Sequence, residues 1–355
     1  MKKTNKIKKI LILVLMCALL LTLLVGCSSK KEGVKTKTFK DSLGREVNVP
    51  VTPKKIAVTG PLAQIIVFAI APDKLVGTAT KWEEKAKGYI DEKFLALPNI
   101  GQLYGGKGDL NLETLMMSGA DLIIDVGEPT KNLEKELDDI QNQTQIPCVH
   151  VNFDIKTADE TYTMLGRLLD MKDEASKIAT YCKEVYERTK EIAENVSRER
   201  LLYIVGEEGL NVIAKDSFYS EIIDMLSDNV AKVDNPTSKG TGNEVDMEQI
   251  IIWNPDVIIV SPNTIYDEMA EDEVWRQVSA VKNGKYYEVP EGPYNWMGFP
   301  PSIQRLLGMN WLAKVLYPKE ATYDLYEEVA KFYDLFYHHE LSIKEYDDLL
   351  KKSGI

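Results

Sequence analysis

Histidine and cysteine are scarce in this chain: its 355 residues contain three His and four Cys. His150 sits in a strand-like pattern and reads as core, while His338 and His339 fall on a C-terminal helical segment and read as solvated. Without a spaced carboxylate motif they do not compose a zinc or manganese site. There is no G-x-S-x-G and no H-E-x-x-H segment, so an enzyme built on an activated serine or a helical zinc pair has no signal here. The Gly-rich stretch GGKGD at 105–109 lacks the Ser or Thr after its Lys and breaks the spacing of a phosphate loop. Positive charge is also short, since 43 Lys and Arg stand against 55 Asp and Glu. That balance makes nucleic acid and anionic lipid poor partners. What remains, 44% hydrophobic and 28% charged residues, is the composition of an ordinary globular chain with room for two domains.

One long apolar run does occur, at residues 10–26, behind MKKTNKIKK with its five Lys and no acid. A basic segment followed by such a run is the pattern of an export signal. The alternative is a membrane-spanning anchor, for which 17 apolar residues are the lower limit. The run ends in L-V-G-C with SSKKEG behind it, and there the sequence resembles a bacterial lipoprotein signal. The resemblance implies that residues 1–26 are removed, that Cys27 is lipidated, and that residues 27–37 form a flexible tether. Two acyl chains then suffice as the only membrane attachment. The remaining chain has 38 basic against 55 acidic residues, a formal charge of −17. Cys148 and Cys182 lie in apolar patterns, PCVHV and ATYCKEV. They are expected as buried thiols, although an oxidising compartment permits a disulfide.

From residue 38 onward the chain alternates strand and helix patterns. FKDSLGREVNVP has the alternation and turn of a hairpin; KIAVTG, LVGTAT, DLIIDVG and PCVHVNF then read as strands separated by helices. Ala175, Ile178, Cys182, Val185, Thr189, Ile192 and Val196 recur in steps of three and four without Gly or Pro between them. They predict one helix over 173–196, about 36 Å long. RLLYIVG, LNVIA, DVIIVS and YYEVP then resume the strands, and two aromatic-rich helical patterns close the chain. The predicted fold is α/β: two βα lobes, 38–157 and 199–355, with parallel or mixed central sheets. A long helix within 158–198 joins them.

The lobes repeat one another. DLNLETLMMSGADLIID at 109–125 aligns without a gap on EVDMEQIIIWNPDVIIV at 244–260, placing Glu113 over Glu248 and Asp121 over Asp256. Asn111 and Asp246 are candidate N-caps, and a first-turn Glu meets the positive end of the helix dipole. Both glutamates are therefore intelligible as helix-start residues. They are equally intelligible as two exposed carboxylates offered to a two-fold partner. The lipobox, the hairpin followed by KKIAV, the two NLE/DME segments, the single long helix and WRQVSAVKNGKYYEVP together resemble the cobalamin, haem and ferric-siderophore class of solute-binding proteins. The resemblance covers essentially the whole mature chain. It implies a non-enzymatic receptor without a cofactor that holds its ligand between the lobes and delivers it to the permease dimer of an ABC importer. Glu113 and Glu248 would meet permease arginines.

Ligand residues are expected in loops after the strands. In the first lobe these are Gly60-Pro61, Trp82, Gln102 to Tyr104, and Gly127-Glu128; in the second, Phe218, Tyr219, Lys239, Tyr294, Trp296 and Arg305. The core of the expected site is Trp82, Tyr104, Tyr219, Tyr294, Trp296 and Arg305. An Arg beside Tyr and Trp in GPYNWMGFPPSIQR suits an anionic, partly aromatic ligand, and a proline-rich structural turn is the competing reading. The expected cargo is an iron chelate of the ferric-siderophore class. Molybdate or tungstate comes second and a corrinoid or haem third, with an extracytoplasmic enzyme on a two-lobed scaffold as the alternative of a different class.

Overall fold

The computed structural model describes residues 35–103 and 110–355, and its compact body is Lys37–Ile355. Strands β1 (Thr36–Lys40) and β2 (Glu46–Pro50) form the opening hairpin. Asp41 at its corner holds the Arg45 guanidinium at 2.7 Å and accepts a hydrogen bond from the His150 backbone N–H at 3.2 Å, which docks the hairpin on the first sheet. That sheet is three parallel strands, β3 (Ile56–Val58), β4 (Leu122–Gly127) and β5 (Cys148–Asn152), in the order β3-β4-β5. Helix α1 (Pro61–Ile70) follows β3 with Pro at its first position, α2 (Leu112–Met117) precedes β4, and α3 (Leu133–Thr144) joins β4 to β5.

The segment 158–198, expected to hold one linking helix, holds two. Helix α4 (Ala158–Leu169) ends at Asp170, whose φ of 57° turns the chain into α5 (Lys172–Asn195). The break falls in LDMKD, where the left-handed Asp170 interrupts the helical path. Helix α5 has the predicted length and stripe: Ala175, Ile178, Cys182, Val185, Thr189 and Ile192 are buried. On its far side Arg188 donates to both Glu328 oxygens at 2.8 and 3.1 Å and to Asn310 Oδ1 at 2.8 Å, and it lies 4.2 Å over the Tyr323 ring.

The second sheet is mixed. Strands β6 (Arg200–Val205), β7 (Asn211–Val212), β8 (Asp228–Asn229), β9 (Asn243–Glu244), β10 (Val257–Val260) and β11 (Tyr286–Glu288) take the order β11-β10-β6-β7-β9, with β8 beside β6. The β11-β10-β6 half is parallel; β7 and β9 run antiparallel. Helix α6 (Glu221–Leu226) precedes β8 and α7 (Met247–Trp253) precedes β10; α8 (Arg305–Leu316), α9 (Leu325–Phe332) and α10 (Ile343–Leu350) close the chain.

Side chains alternate across each strand, so both sheets bury two faces. Val58, Ile124, Val151, Leu201, Tyr203 and Ile259 share one apolar core that runs through both lobes and the linking helices. Ala57, Ile123 and Cys148 face a smaller core behind the first sheet, and Leu202, Ile204 and Ile258 one behind the second. The terminal segment, read with the second lobe, packs back on the first. Phe336 meets Tyr162 at 5.9 Å, and His338 meets Phe68 at 5.7 Å. LVGTAT does not form a strand; its backbone bonds go one at a time to Ile56, Pro98 and Ile100. Cys148 and Cys182 are free and buried, and burial pushes both thiols well above their usual range.

Candidate functional site

The loops at the C-terminal ends of β3, β4 and β5 face the second lobe across a cavity of about 330 Å³. Leu62, Glu128, Phe153, Asp154 and Ile155 line it from the first lobe, and Ser217, Phe218, Glu221, Pro301 and Arg305 from the second. Strand ends in an α/β sheet leave their last backbone groups and loops free for a ligand. Two such ends facing one another make a mostly apolar space with a few polar groups, the usual constitution of a small-molecule site.

Arg305 is the most constrained of these residues. It is the first residue of α8, and it is 5% exposed. Its Nη1 donates to Glu221 Oε2 at 2.9 Å, its Nη2 donates to the Phe218 carbonyl at 3.0 Å, and the guanidinium lies 5.0 Å over the Phe218 ring. Gly298, at φ +102°, has to be glycine for two reasons: L side chains avoid that conformation, and a Cβ there would come within 2.6 Å of Arg305 Nε. Burial pushes the Arg305 pKa down, and Glu221 partly restores it. Burial likewise raises the Glu221 carboxyl, opposed by Arg305 and reinforced by Asp154. Both terminal nitrogens of Arg305 are thus engaged inside the protein. The charged lining is three carboxylates, Glu128, Asp154 and Glu221, against this one paired guanidinium, with Lys156 Nζ 4.0 Å from Glu221.

The other expected site residues fall into two groups. Tyr219 stacks on Phe299 at 4.8 Å beside Phe218, on the Arg305 side. Trp82 lies between Phe68 at 5.1 Å and Tyr294 at 6.3 Å, so it and Tyr294 meet across the lobes, and the ion pair of Lys85 with Glu291 bridges them nearby. Tyr294 is 7% exposed, and burial raises its phenol above the usual range. Trp296, two residues on, is wholly buried in the core that runs through both lobes, which places it behind the cleft rather than in its wall. Tyr294 belongs to the same core and differs from Trp296 in its ring contact with Trp82 of the first lobe. Tyr104 and Cys27 lie outside the described residues. Phe153, Asp154 and Glu221 were missed. The first two immediately follow strand PCVHVN and were legible as strand-end residues; Glu221 stands 84 residues from its partner Arg305, and no local pattern links them. Among the described residues no cluster of three or more His, Cys, Asp or Glu is arranged to hold a metal ion.

The repeat is present in the backbone as well as in the sequence. Asn111 accepts from the Thr114 N–H at 2.9 Å, and Asp246 accepts from the Gln249 N–H at 2.7 Å, so both caps form as predicted. Gly119 at φ 69° and Asn254 at φ 39° end the corresponding helices in the left-handed region. The N–H of Asp121 donates to Lys55 O, that of Asp256 to Arg200 O, and both strands that follow run parallel to the strand so joined. Glu113 and Glu248 are exposed at matched places on the two helices.

Two sheets facing each other across a cleft, with helices spanning both lobes, define a solute-binding fold. The chain matches the periplasmic binding protein family over residues 56–293, and it belongs to that family. An Fe(3+)-citrate-binding protein of Bacillus subtilis is 26% identical over 298 residues, covering 80% of this chain and 90% of its own. A molybdate-binding protein of Haemophilus influenzae is 22% identical, covering 89% of this chain and 96% of its own. Among solved structures, an ABC transporter solute binding protein from Sulfurospirillum deleyianum superposes with a TM-score of 0.78 at 28% identity, covering 88% of this chain and 99% of its own. The protein is accordingly a solute-binding protein of the ABC-importer type.

Proposed function

We propose that this protein is a lipid-anchored extracytoplasmic receptor that captures an iron complex of the ferric-siderophore class between its lobes and delivers it to an ABC importer. The observation that carries the reading is the cavity of about 330 Å³ walled by Phe153 and Phe218 from opposite lobes. That volume and those aromatic walls suit an organic chelate better than a bare oxyanion. For molybdate or tungstate the charge is unfavourable: the Arg305 guanidinium is already paired with Glu221, and three carboxylates line the same space. An acidic lining selects chelates that are neutral or cationic overall, because an anion would have to overcome repulsion in a partly desolvated site. L-V-G-C and the charged tether after it support anchoring at Cys27. Matched exposed carboxylates support docking of Glu113 and Glu248 on the two halves of a permease dimer, where surface ion pairs set orientation and on-rate more than affinity.

The test is thermal unfolding of residues 28–355 against ferric hydroxamates, ferric catecholates, ferric citrate, haem, cobalamin, molybdate and tungstate. A ligand at 100 times its Kd adds about 2.7 kcal/mol of stability. The proposal expects a shift with a ferric chelate and none with the oxyanions; a shift with molybdate alone overturns it.

A further inference from the structure

The two large apolar side chains most exposed among the described residues are Met117, at 81%, and Ile252, at 68%; the next, Ile343, is at 57%. They are 135 positions apart, the offset of the internal repeat, so each occupies the same place in its lobe. Met117 lies four residues after Glu113 on α2, and Ile252 four residues after Glu248 on α7. Residues four apart share a helix face, so each lobe presents one carboxylate and one apolar knob side by side. Neither glutamate's side-chain carboxylate has an ion-pair or hydrogen-bond partner among the described residues. Apolar side chains this open are ordinary singly. The same solvated pattern at both copies of a repeat whose caps and helix exits also match is not accounted for by helix formation.

We infer that Met117 and Ile252 are the apolar anchors of the permease-docking surface, each inserting beside the ion pair made by its neighbouring glutamate. The inference rests on the docking reading of Glu113 and Glu248 and extends it to a contact that excludes water around the charges, without which exposed ion pairs contribute little. Charge complementarity chooses the occupant. A second copy of the processed chain, with 38 basic against 55 acidic residues and a formal charge of −17, would set acidic surface against unpaired carboxylates. A two-fold partner with a cation and a shallow apolar recess on each half satisfies both lobes at once.

The test places a photo-crosslinking amino acid at Met117, at Ile252, at Glu113, at Glu248 and, as a control, at Val274, in the full-length protein made in its own cells; adducts are identified by mass spectrometry. The inference expects positions 117 and 252 to crosslink to an ABC permease polypeptide well above Val274. It also expects the Met117→Gln, Ile252→Gln double variant to lower the yield from positions 113 and 248 by about tenfold or more while ligand-induced thermal shifts stay unchanged. Crosslinks from 113 and 248 but not from 117 and 252 overturn the apolar anchors and leave the docking reading intact. No permease adduct from any of the four overturns both. Adducts of doubled mass from 117 and 252 overturn the inference in favour of self-association.

Discussion

At the scale of single residues, the pair Arg305–Glu221 decides how the cleft is charged. The guanidinium is 6% exposed and the carboxylate 24%, so removing one partner strands a charge in a poorly solvated place. Arg305→Met is expected to destabilise the protein by about 2 kcal/mol, below the usual range for a fully buried pair because Glu221 keeps some water. Arg305→Met with Glu221→Leu should recover at least half of that loss, as read by urea unfolding of both variants; additive losses would show that the pair is not coupled. Arg305 was legible in the sequence as a cleft residue. Its engagement was not, because a guanidinium's partners depend on a contact between α6 and α8 that no local pattern encodes. Tyr294 and Trp296 show the same limit. Both were expected in the ligand site, yet the path of that loop buries both in the core and gives only Tyr294 a ring contact with Trp82.

At the scale of elements, local chemistry is most legible where a cap or a period dictates it. The caps at Asn111 and Asp246, the stripe of α5 and the hairpin were readable because each depends on neighbours in sequence. LVGTAT was misread because a β-branched composition was not matched by a partner strand, and 158–198 because a single left-handed residue divides two helical periods. Helix α10 carries a capping box in which the Ser342 hydroxyl and backbone N–H both donate to Glu345. These hydrogen bonds to Ser342 hold the Glu345 carboxyl below its usual range, with His339 adding to the effect. A carboxyl depressed in the folded state contributes stability above its unfolded value of 4.5 and loses it as pH falls through the lower folded value. Ser342→Ala should therefore cost about 1 kcal/mol at pH 7, and the gap from wild type should narrow in melts taken below pH 4.5. A gap independent of pH would contradict the role given to Glu345.

At the scale of the molecule, the linking helices and the terminal aromatic segment make one core of two lobes. Phe332 and Phe336 stack at 4.3 Å, and Phe336 reaches Tyr162 of α4 and Tyr181 of α5. A continuous packed core resists bending, and the residues that line the cavity come from strand-end loops and helix starts on both lobes. The two-lobed plan was legible because the chain says nearly the same thing twice, and the position of the cavity followed from the rule that ligands bind at strand ends. Its acidic lining emerged only when Glu128, Asp154 and Glu221 came together from three separate segments. The most direct test of the whole account is isothermal titration of residues 28–355 with the ferric chelate giving the largest thermal shift, repeated on Ser217→Trp, in which an indole fills the cavity. The account predicts one site per chain in the wild type and no measurable heat in the filled variant. Equal binding by both proteins, or no binding of any ferric chelate by the wild type, would contradict it.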